Sequence, residues 1–493
     1  MTSTPPRYSG SEEDLEISAA KEEIARGSAS DDVESGDNLR YKKRASGEAS
    51  EGWSTQTDAV FGKITEEGPN YKALGWLSTS VLMIKAQLGL GVLSLPFVLS
   101  TLGMVPGILC IIAVGIIMSW GEWMIGEFKL SHPEVYTIDD VGQIIFGRIG
   151  RETFALASLL FMIFAAGAGM LSMSVALNAL STHGACTAIF VAVSAIAAGL
   201  IGSIQTLGRI QALGWIGVVS ILSAVIVLTI TVGIQERPND APTVGPWDRD
   251  VIYFGSPTFA QASSAVSSIV VSYAGAPSFF NMIAEMKQPR HYNRSLALCQ
   301  IVITATYLII GCVVYHYAGQ YVSAPALGSA GPLLKKVCYG LALPGLLVSA
   351  ILWTHFPAKF IFVRVLRNTE HLSKNTVKHW VVWIGSVLGC CLSSYIVASA
   401  IPEFGGLVSL IGASVGTLVC IQPMGVMWLY DNWNREKRDW KWKFMVGWSV
   451  FIVVIGFFLM GAGTYGSVMD IIAAYAASNG SAAWSCADNS NSV

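Results

Sequence analysis

Ile84-Lys85-Ala86-Gln87-Leu88-Gly89-Leu90-Gly91-Val92-Leu93-Ser94-Leu95-Pro96 breaks an apolar run of membrane length, residues 77–99, with two glycines and a proline. A helix in lipid keeps its backbone groups paired internally. Unwound backbone at membrane depth persists only where it is buried in protein or lines a cavity. A second apolar run, 261–284, is interrupted in the same way by Ser272-Tyr273-Ala274-Gly275-Ala276-Pro277. The two interrupted runs stand five segments apart. Matched breaks in corresponding halves of a polytopic chain are the best sequence pointer to the substrate site of a secondary transporter.

The rest of the composition agrees. The chain has 493 residues, 53% hydrophobic and only 13% charged, with mean hydropathy +0.53. A soluble domain carries about 25% charged residues. Net charge is −2, which argues against nucleic acid as a partner. Residues 1–70 differ from the remainder: acids outnumber bases, and Ser and Gly are frequent. That stretch reads as a disordered, acidic cytoplasmic tail. It lacks a basic start followed by an apolar core, so it does not read as a cleavable signal peptide.

Eleven apolar segments follow, at 77–99, 104–124, 153–178, 185–202, 211–234, 261–284, 294–318, 341–365, 380–400, 405–429 and 444–464. With the N-terminus placed in the cytoplasm, inner loops and helix ends hold seventeen Lys and Arg against four in outer loops (Arg237, Arg249, Lys335, Lys336). The positive-inside rule favours that orientation. An odd count then puts the C-terminus outside, where Asn479-Gly480-Ser481 is a glycosylation acceptor. Segments one to five and six to ten each open with a broken helix, the layout of a 5+5 inverted repeat with one extra C-terminal helix. The expected organisation is an all-α integral membrane protein: tail 1–70, transmembrane domain 71–465, extracellular C-terminal tail 466–493. Tyr136 to Arg151 reads as a short interfacial helix. Of nine cysteines, Cys186, Cys338 and Cys486 fall near the outer face, where one disulfide among them is compatible with position.

The motif Ile84 to Pro96 resembles the first helix of the amino acid/auxin permease family. Tyr273-Ala274-Gly275, followed by Ala284-Glu285-Met286-Lys287-Gln288-Pro289, is similar to that family's sixth helix and the loop after it. Asp58-Ala59-Val60-Phe61-Gly62, ahead of Tyr71 and Trp76, looks like the fungal branch, as in neutral amino acid permeases. The resemblance covers about residues 58–465. It implies the fold of the bacterial leucine transporter, an amino acid substrate and proton coupling, with no other cofactor.

On that footing each motif has a role to be weighed. Leu88, Gly89, Leu90 and Gly91 would offer freed N–H groups, and the positive end of the half-helix beyond them, to a carboxylate. Close helix packing through small residues is the plainer alternative. Ser272, Tyr273, Ala274 and Gly275 would hold the ammonium through carbonyls, with Tyr273 closing over the side chain. An ordinary kink at Pro277 is the alternative. Phe279 and Phe280 read as packing residues.

Lys85 is an ionisable residue a third of the way along a membrane helix, which is a functional hypothesis by default. Snorkelling or pairing with a carboxylate is its plain reading. In sodium-coupled relatives the resemblance places an Asn here that helps hold the ion. An ammonium in its place would remove the need for sodium and brace segment one against segment eight near Thr354. His355 is the alternative titrating group, and a satisfied structural His is equally open. Glu122 and Glu285, at inner helix ends, read as surface or ion-pair residues. Lys359 and Arg364 read as snorkelling outward. No carboxylate lies in either break, which points to neutral substrates. The expected protein is a proton-coupled amino acid symporter of the plasma membrane, with the vacuolar membrane as the alternative. A substrate sensor with little flux and a sodium-coupled symporter are its rivals. An enzyme is disfavoured: the inner loops hold no His–acid pair at acyltransferase spacing, no clustered His and no phosphate loop.

Overall fold

The computed structural model describes residues 57–58, 62–63, 72–477 and 484–490, except 90, 206, 239–240, 243–244, 246, 368, 373 and 402–403. Leu90, the Asn479 acceptor and most of the acidic stretch therefore lie outside the described residues. Within that stretch β1 (Thr57–Asp58) pairs antiparallel with β2 (Gly62–Lys63). Apart from a β-bridge between Leu74 and Met286, the regular elements after it among the described residues are helices.

The first apolar run becomes two helices. α1 (Trp76–Leu88) stops at Gly89, a single 3-10 turn covers Gly91–Leu93, and α2 (Leu95–Leu102) resumes with Pro96 in its first turn. A proline there is tolerated because the N–H it lacks would find no helical partner anyway. Gly103, at φ 89°, is the only residue between α2 and α3 (Met104–Ser131). That left-handed turn costs a glycine little. α4 (Ile138–Ser181) merges the expected interfacial helix with the third segment, and the two meet at a kink where Gly147 takes φ 66°. α5 (Thr187–Gly202) and α6 (Leu207–Ile234) complete the first half.

The second broken run gives α7 (Phe259–Tyr273) and α8 (Ala276–Ala284), separated by Ala274 and Gly275. Thr258 caps α7: its hydroxyl accepts from Gln261 N, while the Gln261 side chain accepts from Thr258 N. α9 (Tyr292–Ala318), α10 (Pro332–Leu366) and α11 (Val377–Ala400) follow. α10 begins nine residues before the apolar run expected for it, because an amphipathic first turn precedes the hydrophobic stretch. The tenth segment is α12 (Phe404–Ile411), a π-helical turn at Gly412–Gly416, α13 (Thr417–Cys420) and α14 (Gln422–Asn432). α15 (Trp440–Ala477) closes the bundle. It lies against α7 through Gly463 and Gly466, where a Cβ would strike Ser267 and Ala260.

Ten of these helices or broken pairs are long and apolar enough to cross a membrane among the described residues, and α5, at 16 residues, is a shorter apolar helix. The expected span boundaries agree within a few residues except at α3, which runs seven residues past its expected end, and at α4, α10 and α15. Outward surfaces remain apolar, as at Leu109, Ile196 and Leu388, which suits lipid contact.

Cys186 and Cys486 form a disulfide. Cys338 is the one of the three expected candidates that stays free, because it is buried inside α10. Beyond the bridge the C-terminal tail is tied to the bundle. Thr187 donates to Ala487 O at 2.7 Å, and Lys335 Nζ donates to Ser490 O at 2.5 Å.

Candidate functional site

The two breaks touch. A Cβ placed on Gly91 would sit 2.5 Å from both Cα and Cβ of Ser272 and 2.6 Å from its hydroxyl, so only glycine allows this approach of the first broken helix to the second. The C-terminal ends of α1 and α7 and the N-terminal ends of α2 and α8 therefore converge on one small volume. Helix ends of both signs are what a zwitterion needs, because N-termini favour anions and C-termini cations.

The unwound backbone is satisfied by side chains. Tyr307 on α9 donates its hydroxyl to Ser272 O at 2.6 Å and lies 2.9 Å from Gln87 O. Gln87, the second residue before the Gly89 break, donates to Tyr273 O at 2.8 Å and to Glu122 Oε1 at 2.7 Å. Gln300 on α9 donates to Glu122 Oε2, and Ser119 donates to Gln300 Oε1 at 3.1 Å. Tyr292 donates to the Glu122 carbonyl at 2.9 Å. One polar network thus joins both broken helices to α3 and α9.

Glu122 is the hub of that network, and its expected surface or ion-pair role is corrected. It is 1% exposed, and among the described residues no cation pairs with it; both oxygens take amide donors instead. Its place in α3 explains why the sequence misleads. It lies nine residues from the end of its helix, about 13 Å inside at 1.5 Å per residue, and only the fold turns it towards the breaks. Neither break contains a carboxylate, as expected, but Glu122 on α3 stands directly behind both. The signal that was available is Glu122 itself, an acid within an apolar run.

Lys85 is fully buried and donates to Ser349 Oγ on α10 at 2.5 Å. Its stem lies beside Gly217 of α6, where a Cβ would come 2.6 Å from Lys85 Cε. The amine also lies 3.1 Å from the position of a Cβ on Gly89, so the lysine folds back onto the first break. The brace to the eighth segment exists, but at Ser349. Thr354 is five residues further along α10, about 7.5 Å along the axis. Thr354 is buried and its hydroxyl has no partner among the described residues.

His355 points elsewhere. Its Nδ1 lies 3.3 Å from Gly202 O, and its ring packs edge-on against Trp383 at 5.4 Å. Tyr273 also faces away from the junction. Its hydroxyl lies 3.3 Å from Thr304 Oγ1, and its ring packs edge-on to Tyr307 at 5.1 Å. Phe279 and Phe280 are buried packing residues.

Glu285 does form an ion pair, with Lys359. Lys359 therefore does not snorkel; both side chains are 1% exposed. Arg364 pairs with Asp139 at 3.0 Å and Glu152 at 2.8 Å.

Two discontinuous helices meeting at mid-bundle, with a buried network behind them, define a secondary transporter of the bacterial leucine transporter fold. The structure of a Na+-coupled sialic acid symporter in its substrate-bound outward-open state superposes with TM-score 0.53 at 10% identity, over 82% of this chain and 92% of that one. The sequence places the chain more narrowly. The model of the transmembrane amino acid transporter protein family matches residues 72–469, and the chain belongs to that family. It is 33% identical to a transmembrane transporter of Gibberella moniliformis, over 87% of this chain and 90% of the relative. It is 32% identical to an N amino acid transport system protein of Neurospora crassa, over 85% and 89% respectively. The protein is thus a membrane transporter rather than an enzyme.

Proposed function

We propose that this protein is a secondary active symporter that carries neutral amino acids into the cytoplasm together with protons. The observation that carries the reading is the contact of Gly91 with Ser272, which brings four helix ends to one point. The substrate carboxylate lies at the Gly89–Gly91 end, before α2. Its ammonium lies by the carbonyl-rich end of α7, at Ser272 to Gly275. Both Glu122 oxygens are engaged by amides, which leaves no free carboxylate to select a cationic side chain.

Lys85 is the coupling residue. An unpaired ammonium in the membrane interior costs several kcal/mol, and its one hydrogen bond among the described residues, to Ser349, ties α1 to α10. Holding the proton braces the two helices; releasing it lets them part. Thr354, further along α10, belongs to the same coupling region, and His355, which faces Gly202 and Trp383, is the alternative coupling residue. The relative of known structure is described as Na+-coupled, and an amine folded against the Gly89 break favours protons over sodium here.

The eleven segments form a 5+5 inverted repeat plus one helix, with the N-terminus cytoplasmic and the C-terminus outside, in the plasma membrane. The Cys186–Cys486 bridge supports this count. Eight crossings, α5 to α15, separate the two cysteines, and an even number returns the chain to the same face. The test is uptake of a radiolabelled amino acid panel into proteoliposomes, with choline replacing sodium and external pH varied. Neutral amino acids accumulate without sodium, and faster as external pH falls. Strict sodium dependence overturns the coupling assignment, and absence of any uptake overturns the function.

A further inference from the structure

We infer that Trp484–Ser490 is a strap, locked by the Cys186–Cys486 bond, that ties α15 and the broken helix α7 to the ends of α4, α5, α10 and α11, and so restrains opening of the face on which α5 begins. The inference rests on the transport cycle proposed above. Three observations lead to it. First, the surface under the strap is built to hold it. Trp484 N donates to Ser399 O on α11 at 2.9 Å, and the Trp484 ring packs edge-on to Tyr395 at 5.5 Å. Cys486 is bonded to Cys186 at the start of α5, and Ala487 O accepts from Thr187. Asn178 on α4 donates to Asn489 Oδ1 at 2.7 Å, and Asn489 Nδ2 donates to Ser174 Oγ at 3.1 Å. Lys335 on α10 donates to Ser490 O. Ser174, Asn178 and Lys335 are all buried. Polar groups at that depth need partners, and the strap supplies some of them.

Second, the strap is linked to α7. Tyr475, near the end of α15, donates to Ala400 O at 3.0 Å, beside the Ser399 carbonyl that takes Trp484. The end of α15 and the start of the strap are therefore pinned side by side on α11. Further back along α15, Gly463 and Gly466 rest on Ser267 and Ala260 of α7 so closely that neither could carry a Cβ. α7 ends at the junction with Gly91. Opening a path from this face to the junction moves α7 against the helices around it, and α15 with it, so the strap is loaded.

Third, the strap also meets the loop between α9 and α10. Asn489 and Ser490 line a small cavity together with Pro325 and Gly328 of that loop and Val175 of α4. The covalent bond matters because the strap contains no helix or strand. A few hydrogen bonds offset little of the entropy lost on ordering such a segment. With the cystine in its midst, the same contacts form within one molecule at high effective concentration.

The experiment is hydrogen exchange, read by mass spectrometry, on the purified full-length protein before and after treatment with a dithiol reductant. The reductant gives two electrons and two protons to the cystine and itself closes to a disulfide; alkylation of a sample confirms that residues 186 and 486 are free thiols. Amides of α7 and of the last turns of α15 are expected to exchange at least threefold faster in the reduced protein. They return to the parental rate when the bond is re-formed by oxidation, which irreversible unfolding does not do. Cys486→Ser is expected to give the same acceleration without reductant. Asn489→Ala, which leaves the bond in place, gives a smaller one and serves if the serine variant fails to reach the membrane. Acceleration confined to the strap and the ends of α4 and α5 overturns the inference, as does unchanged exchange in α7 with both thiols free. Amino acid uptake by the parent is measured alongside. A parent without uptake but with these exchange rates refutes the proposed substrate and leaves the strap standing.

Discussion

The contact between the breaks can be tested with a single methyl group. Gly91→Ala adds one carbon 2.5 Å from Ser272 Cα and Cβ. Ordinary carbon contacts lie near 3.5–4.0 Å, so the two breaks must separate by about 1 Å. The obstacle is backbone, which has no rotamer to yield. Overpacking of this kind costs about 1–3 kcal/mol, equivalent to a population shift of about 5- to 150-fold. The whole of it falls on the junction proposed to hold the substrate. Gly91→Ala should therefore reach the membrane in normal amount while uptake at low substrate concentration falls at least tenfold, and Gly91→Val should abolish uptake. Gly385→Ala and Gly389→Ala supply the control, because a Cβ at either position meets nothing within 4 Å and both should transport normally. The assay is initial-rate uptake of a transported amino acid, with surface protein quantified in parallel. Wild-type Vmax and KM in Gly91→Ala would show that the junction is not the substrate site.

Other expectations follow from neighbouring residues. Lys85→Met should lose proton-driven accumulation but keep exchange of labelled for unlabelled substrate; full accumulation with the parental pH dependence excludes Lys85 as the coupling residue and turns attention to His355. Glu122→Ala strips two buried amides of an acceptor, at about 1–3 kcal/mol for each group left unsatisfied, and should lower the melting temperature of the purified protein clearly more than Glu122→Gln; equal effects would mean that the network contributes nothing. Peptide mapping without reduction should find residues 186 and 486 in one linked peptide and Cys338 alkylated only after unfolding. In a variant lacking Cys186 and the other free thiols, Cys486 should react with an impermeant reagent on intact cells, and labelling only after permeabilisation would refute the proposed orientation.

What the sequence determined by itself was local and periodic. Gly89, Gly91 and Gly275 mark where two apolar runs break, and Pro96 and Pro277 sit in the first turns of the helices that restart after them. Apolar runs of membrane length gave the helices, and the order of the motifs around Ile84–Pro96 and Ala284–Pro289 gave the family. The structure decided which distant residues meet. The sequence marks Glu122 only as an acid within an apolar run; the packing of α3 against α8 and α9 is what puts it behind both breaks. Likewise Lys85 finds Ser349 across 264 residues of sequence, and Glu285 finds Lys359 across 74. The disulfide partner of Cys186 was one of two candidates until the fold returned the C-terminus to the same face. Turns, caps and breaks depend on a residue and its immediate neighbours, so they can be read along the chain. Buried polar pairs depend on the faces that helices present to one another, and those faces exist only once the bundle has assembled.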